Sequence, residues 1–76
     1  MTLSTCEINK SVKIVGFSNG LFENYKKRLF QLGFFSGNKL KVCKKSVFKK
    51  VLLVEINSYL LSLRNDIAQF VEVEYE

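Results

Sequence analysis

Catalysis at a protein site needs a placed acid, base, nucleophile or metal-ligand set, and this chain supplies few of them. It has no histidine, and its two cysteines, Cys6 and Cys43, lie far apart with no Cys-x-x-Cys pair. The ligand spacings of a zinc site are missing, so both thiols are expected to be free and reduced, a Cys6–Cys43 disulfide being the weaker alternative. Glu72, Glu74 and Glu76 alternate with apolar residues, which puts their carboxylates in one row on one strand face. A solvated surface explains that row, and without an imidazole it makes a poor transition-metal site. Gly16-x-x-x-Gly20 and Gly33-x-x-x-Gly37 lack the lysine and hydroxyl that follow the glycines of a phosphate-binding loop. Backbone geometry is the better reading of Gly33 and Gly37. No catalytic, cofactor-binding or metal-ligating residue is expected.

Charge is the stronger signal. Twelve Lys and Arg against seven Asp and Glu give +5, and no acidic residue occurs between Glu23 and Glu55. That stretch holds Lys26, Lys27, Arg28, Lys39, Lys41, Lys44, Lys45, Lys49 and Lys50, whereas the tail carries Asp66, Glu72, Glu74 and Glu76 with no basic residue after Arg64. One positive and one negative side are expected, a field that steers acidic partners. The plainer explanation is that the lysines keep an apolar mini-domain soluble.

These residues must be positioned by a small fold. The chain has 76 residues, 47% of them hydrophobic, with seven Phe, three Tyr and no Pro. That is about half the roughly 150 residues typical of a domain, so one domain spanning 1–76 is expected. Val12, Ile14 and Gly16 alternate with Lys13, Val15 and Phe17 as a half-buried strand does. From Leu21 the spacing changes: Leu21, Tyr25, Leu29 and Leu32 form the apolar stripe of a helix. Ser18 or Asn19 is placed to cap it. Gly33 stands at the left-handed C′ position, and Phe34 at C″ can touch Leu29. Leu40 and Val42 mark a second strand, Val51 to Ile56 a third, and Asn57-Ser58 a two-residue turn into a fourth at Tyr59 to Arg64. A helical turn at Asn65 to Gln69 leads to a last strand. Before the first strand, Leu3, Cys6 and Ile8 can face inward, with Asn9-Lys10 as a turn. The fold class is mainly β, a small bent barrel of about five strands with one inserted amphipathic helix, SH3-like or OB-like by periodicity alone. There is no signal-peptide-like start, and the longest apolar run, Val51 to Val54, is far below the roughly 18 residues that span a bilayer. A soluble, cytoplasmic protein is expected.

The segment Arg28-Leu29-Phe30-Gln31-Leu32-Gly33-Phe34-Phe35-Ser36-Gly37 has the form R-L-x-x-L-G-x-x-x-G, and Leu61-Ser62-Leu63-Arg64 has the form L-x-L-R. Together they resemble the FeoA family, small accessory proteins of bacterial ferrous iron uptake, with the resemblance covering nearly the whole chain. Leu29, Leu32, Gly33 and Gly37 carry the structural motif. The chain departs from the family at Asn9-Lys10 and at Ser46 to Lys50, where Pro-Gly turns are usual. The resemblance implies an SH3-like barrel and a cytoplasmic protein acting with the membrane iron transporter FeoB, whose cytosolic part contains a GTPase domain. Transition metal ion binding is a family-level term for which no ligand set is seen here. The same fold serves as the C-terminal module of iron-dependent repressors, a role disfavoured for a chain without a DNA-binding part.

A non-catalytic binding module remains. The apolar content exceeds what one small barrel buries, and a contiguous apolar patch beside lysines marks a contact surface. The expected partner surface is Phe35, Phe48, Val51, Leu53 and Tyr59, rimmed by Lys44, Lys45, Lys49 and Lys50. Through it the chain would bind FeoB, and the same patch could make a homo-oligomer. A small basic nucleic-acid-binding barrel is the alternative, disfavoured because the aromatics are not grouped on one strand face.

Overall fold

In the computed structural model, which describes residues 1–48 and 50–76, seven elements follow in order. They are β1 (Ser11–Phe17), α1 (Glu23–Gln31), β2 (Lys39–Lys45), β3 (Val51–Ile56), β4 (Tyr59–Arg64), α2 (Asn65–Ala68) and β5 (Val71–Tyr75). The strands form one antiparallel sheet in the order β4-β3-β2-β1-β5. Alternation decides which face is buried: Val12 and Ile14, Leu40 and Val42, Leu52, Val54 and Ile56, Leu63, Val71 and Val73 all point into one core. Phe34 is the largest fully buried side chain. Among the described residues no helix is long and apolar enough to cross a membrane.

Helix α1 ends as its sequence specifies. Gly33 takes φ 108°, its N–H donates to Phe30 O at 3.1 Å, and the Phe34 N–H donates to Leu29 O at 2.9 Å. This is the paired bonding of a Schellman stop, with Leu29 and Phe34 both buried. The start differs from expectation. The N-cap residue is Phe22, with no side-chain cap; the helix starts too late for Ser18 or Asn19 to cap it, and the Ser18 hydroxyl donates to Glu72 (3.0 Å). Buried Leu21 anchors the entry. Of the apolar stripe, Leu21 and Leu29 are buried and Leu32 is half-buried, while Tyr25 is exposed.

The β3–β4 turn forms at Asn57 and Ser58, with φ 51° and 68°, the two positive values of a type I′ hairpin. In β2 the ladder to β3 slips between Val42 and Lys44, so Cys43 bulges out and Lys45 falls opposite buried Leu52. The first ten residues wrap the sheet. Thr2 bridges Glu72, and Leu3 and Cys6 are fully buried. Ile8 is not, at 47% exposed, because Asn9 turns at φ 63° to place its N–H on Val42 O at 2.7 Å.

Candidate partner-binding surface

The β2–β3 hairpin tip is closed by a serine. Ser46 Oγ accepts from the N–H groups of Lys50 (3.0 Å) and Val51 (3.1 Å), and the Ser46 N–H donates to Val51 O. A hydroxyl thus ties together a tip that has no Pro-Gly turn. Beyond it Val47 and Phe48 stand in solvent, Phe48 at 82% exposed. A groove of about 610 Å³ runs from Phe48, Lys50 and Val51 to Arg64, Asn65, Asp66 and Gln69. A second, of about 290 Å³, shares Arg64, Asp66 and Gln69 and continues to Leu21, Phe22, Tyr25, Ile67 and Phe70. The two make one trough with aromatic ends, crossed by the Arg64–Asp66 ion pair at 2.7 Å.

Of the surface read from sequence, Phe48, Lys50, Val51, Leu53 and Lys44 share this end of the sheet. Leu53 and Lys44 are cross-strand partners on the outward face. Lys49 lies outside the described residues. Phe35 and Tyr59 are elsewhere. Tyr59 pairs with Ile56, at the opposite end of β3 from Val51, about 16 Å away at roughly 3.3 Å per residue. Its hydroxyl donates to the Leu32 carbonyl, while Phe35 packs on Phe30 with ring centroids 5.6 Å apart. The length of β3 therefore divides the expected patch in two.

Lys45 is not a rim charge. The bulge at Cys43 turns it toward the core side, where its ammonium donates to Ser4 O (3.2 Å) and Cys6 O (3.0 Å) and pins the N-terminal segment. The charges also do not segregate into a positive and a negative side. With β1 between β2 and β5, Lys13 meets Glu74 at 3.3 Å and Lys39 meets Glu76 at 2.9 Å, and the β2–β3 pairing brings Lys41 to Glu55 at 3.6 Å. Hydrogen bonds from the Ser11 hydroxyl and the Lys39 ammonium hold the Glu76 carboxyl below its usual range. Among the described residues Lys27, Arg28, Lys44 and Lys50 make no ion pair.

Both cysteines are free. Burial pushes the Cys6 thiol up, with nearby Lys45 opposing. Among the described residues no group of three or more His, Cys, Asp or Glu is placed to hold a metal ion.

Sequence reasoning missed Phe22 and Phe30, exposed at 72% and 61%. The signal was present, since neither belongs to the Leu21, Tyr25, Leu29, Leu32 stripe and a helix with one buried face must expose them.

A five-stranded antiparallel sheet with a helix between β1 and β2 and a grooved, aromatic-edged rim defines the class as a small SH3-like module. The family model of the FeoA domain matches residues 1–75, and the chain belongs to the FeoA family. No sequence among the curated proteins matches it. Of solved structures, the FeoA protein of Chlorobium tepidum superposes with a TM-score of 0.89 at 25% identity, over 99% of this chain and 70% of that one. FeoA of Stenotrophomonas maltophilia, solved with zinc, superposes at 0.84 with 28% identity over 97% of this chain and 89% of that one. That protein is described as an SH3 domain protein and put forward as a ferrous iron transport activating factor. A manganese-dependent transcriptional repressor matches at 0.87 with 18% identity over 41% of its length, which shows the shared fold alone.

Proposed function

We propose that this chain is a non-catalytic, cytoplasmic accessory protein of ferrous iron uptake that docks on the cytosolic, GTPase-containing part of FeoB. The observation that supports it is the trough from Phe48 to Phe22 in a FeoA-family barrel. Exposed aromatic side chains and an arginine are residue types enriched in protein-contact surfaces. Phe48, Val51, Phe22 and Tyr25 are the apolar anchors, and Lys44, Lys50 and Arg64 are charges at the rim. Docking biases FeoB only through a difference in affinity between its nucleotide states.

Lys13, Lys39 and Lys41 are matched by glutamates, and the exposed aromatics are scattered over α1, the loops, β4 and β5 rather than grouped on one strand face. Both features favour a protein partner over nucleic acid.

Calorimetry of the chain against the isolated cytosolic domain of FeoB, with and without GTP, tests this reading. Phe48→Asp is expected to weaken binding at least about tenfold, and Phe35→Asp, on the separate patch, to leave it unchanged. No binding in either nucleotide state, or equal loss from both variants, overturns it.

A further inference from the structure

The sheet has two edges, and only one is covered. Along β5 the Leu3 N–H donates to Val71 O at 2.8 Å and the Val73 N–H to Met1 O at 2.9 Å, so the N-terminal residues act as a short added strand. Along β4 no further strand is added among the described residues. The two-residue turn makes Ile56 and Tyr59 a bonded pair, and alternation then commits the backbone groups of Leu61 and Leu63 to β3. The N–H groups of Leu60, Ser62 and Arg64 point the other way and find no partner among the described residues. An open edge is usually blunted by Lys, Pro or a bulge. Strand β4 has no Pro, no Lys and an unbroken register, and Leu60 on it is 60% exposed.

We infer that the β4 edge is a self-pairing surface, on which a second copy of this chain adds its own β4 antiparallel about a two-fold axis at Ser62. Exposed backbone donors and acceptors at alternate residues match the spacing of another extended strand, which can displace the water on them, and β4 is complementary to itself. With Ser62 facing its mate, Leu60 lies opposite Arg64 of the second copy and Leu61 opposite Leu63. The small neutral residue sits on the axis, and no like charges face one another. Arg64 of the second copy then shares a row with Leu60 and, one strand further, Glu55, which pairs with Leu60 in the ladder. Opposite charges, Glu55 of the same chain and Arg64 of the second copy, thus flank each Leu60. The interface is isologous and closes as a dimer. This surface shares Arg64 with the trough but is centred on Ser62, which does not line it, so variants at Ser62 test self-pairing separately from docking on FeoB.

Sedimentation of the full chain from micromolar to millimolar concentration tests the inference, together with amide exchange. Doubling of the mass with concentration is expected, accompanied by slowed exchange at Leu60, Ser62 and Arg64. Ser62→Pro removes the outward N–H without touching the β3 ladder, since Pro is tolerated on an edge where that group faces solvent. It should remain monomeric with an unchanged circular dichroism spectrum. Ser62→Lys, which places like charges on the axis at an exposed position, gives the same readout if the proline variant fails to fold. A chain that stays monomeric at millimolar concentration overturns the inference, as does a dimer that survives Ser62→Lys.

Discussion

Along β5 the sheet ends in a sealed seam, with Met1–Leu3 hydrogen-bonded to Val71 and Val73, Leu3 and Cys6 fully buried, and the Lys45 ammonium drawing the Ser4 and Cys6 carbonyls inward. Along β4 the same sheet ends in a bare strand whose outward residues, Leu60, Ser62 and Arg64, are all exposed. The covered seam holds side chains whose loss leaves a cavity, while the bare edge and the neighbouring hairpin tip hold side chains whose loss costs the fold little. A small barrel with a core of this size has limited stability to spare. It therefore concentrates its stability on one side and keeps the other available for contact.

The largest effect that could break this contrast is at Leu3. Leu3→Ala removes a fully buried side chain from the seam and is expected to cost about 3 kcal/mol of unfolding free energy. Leu60→Ala on the bare edge should stay within about 0.5 kcal/mol of the parent. Urea unfolding of both variants is the measurement. Comparable losses would mean that the N-terminal segment is not part of the core.

One costly position is expected near the open side. Gly33 has φ 108°, and a Cβ there would come within 2.3 Å of Asn57 Nδ2, in the turn that joins β3 to β4. Gly33→Ala meets both backbone strain and a clash, and a loss of about 2 kcal/mol is expected. Gly37 at φ 92° opens onto empty space, so Gly37→Ala pays the backbone term alone, about 1 kcal/mol. Equal losses would show that the Asn57 contact relaxes freely.

The pin on the seam ranks next. Lys45→Met keeps the alkyl stem and removes the ammonium from the Ser4 and Cys6 carbonyls, at an expected cost of about 1 kcal/mol. Lys44→Met, one residue away but on the outward face, should be nearly silent. Thermal unfolding of the pair separates a structural lysine from a surface one.

How much of this was legible in the sequence depends on the range of the interaction. The bounds of β3, the Asn57-Ser58 turn and the Gly33 stop follow from neighbours within a few residues, through period-two alternation, tolerance of positive φ and the C′–C″ pattern. The inward turn of Lys45 was not legible, because alternation has no sign for the bulge at Cys43. Nor was the interleaving of lysines with glutamates, which depends on β1 lying between β2 and β5, a pairing of residues some sixty positions apart in Lys13 and Glu74. The expected patch divides for a similar reason: Phe48 and Tyr59 are close in sequence, but the rise of β3 carries them to opposite ends. The Ser18 cap was lost because the helix begins only at Glu23, with Phe22 at the N-cap.

The smallest effect distinguishes the two thiols and with them the two surroundings. Burial of Cys6 in the seam raises its pKa above the ordinary thiol value, so the folded chain holds a proton that the unfolded chain releases first. A raised folded-state pKa gives stability that is fully present below the unfolded value and is lost as pH rises through the folded one. Stability should therefore decline gently above about pH 8.5, the ordinary thiol range, and Cys6→Ala should flatten that decline. Cys43, half-buried at the bulge, should react with a thiol reagent at neutral pH well before Cys6, which becomes available only as the seam opens. Urea midpoints across that pH window, paired with timed labelling, read both. Labelling of Cys6 at the rate of Cys43 in folded protein would mean that the seam opens as readily as the bare edge, and would remove the contrast at its source.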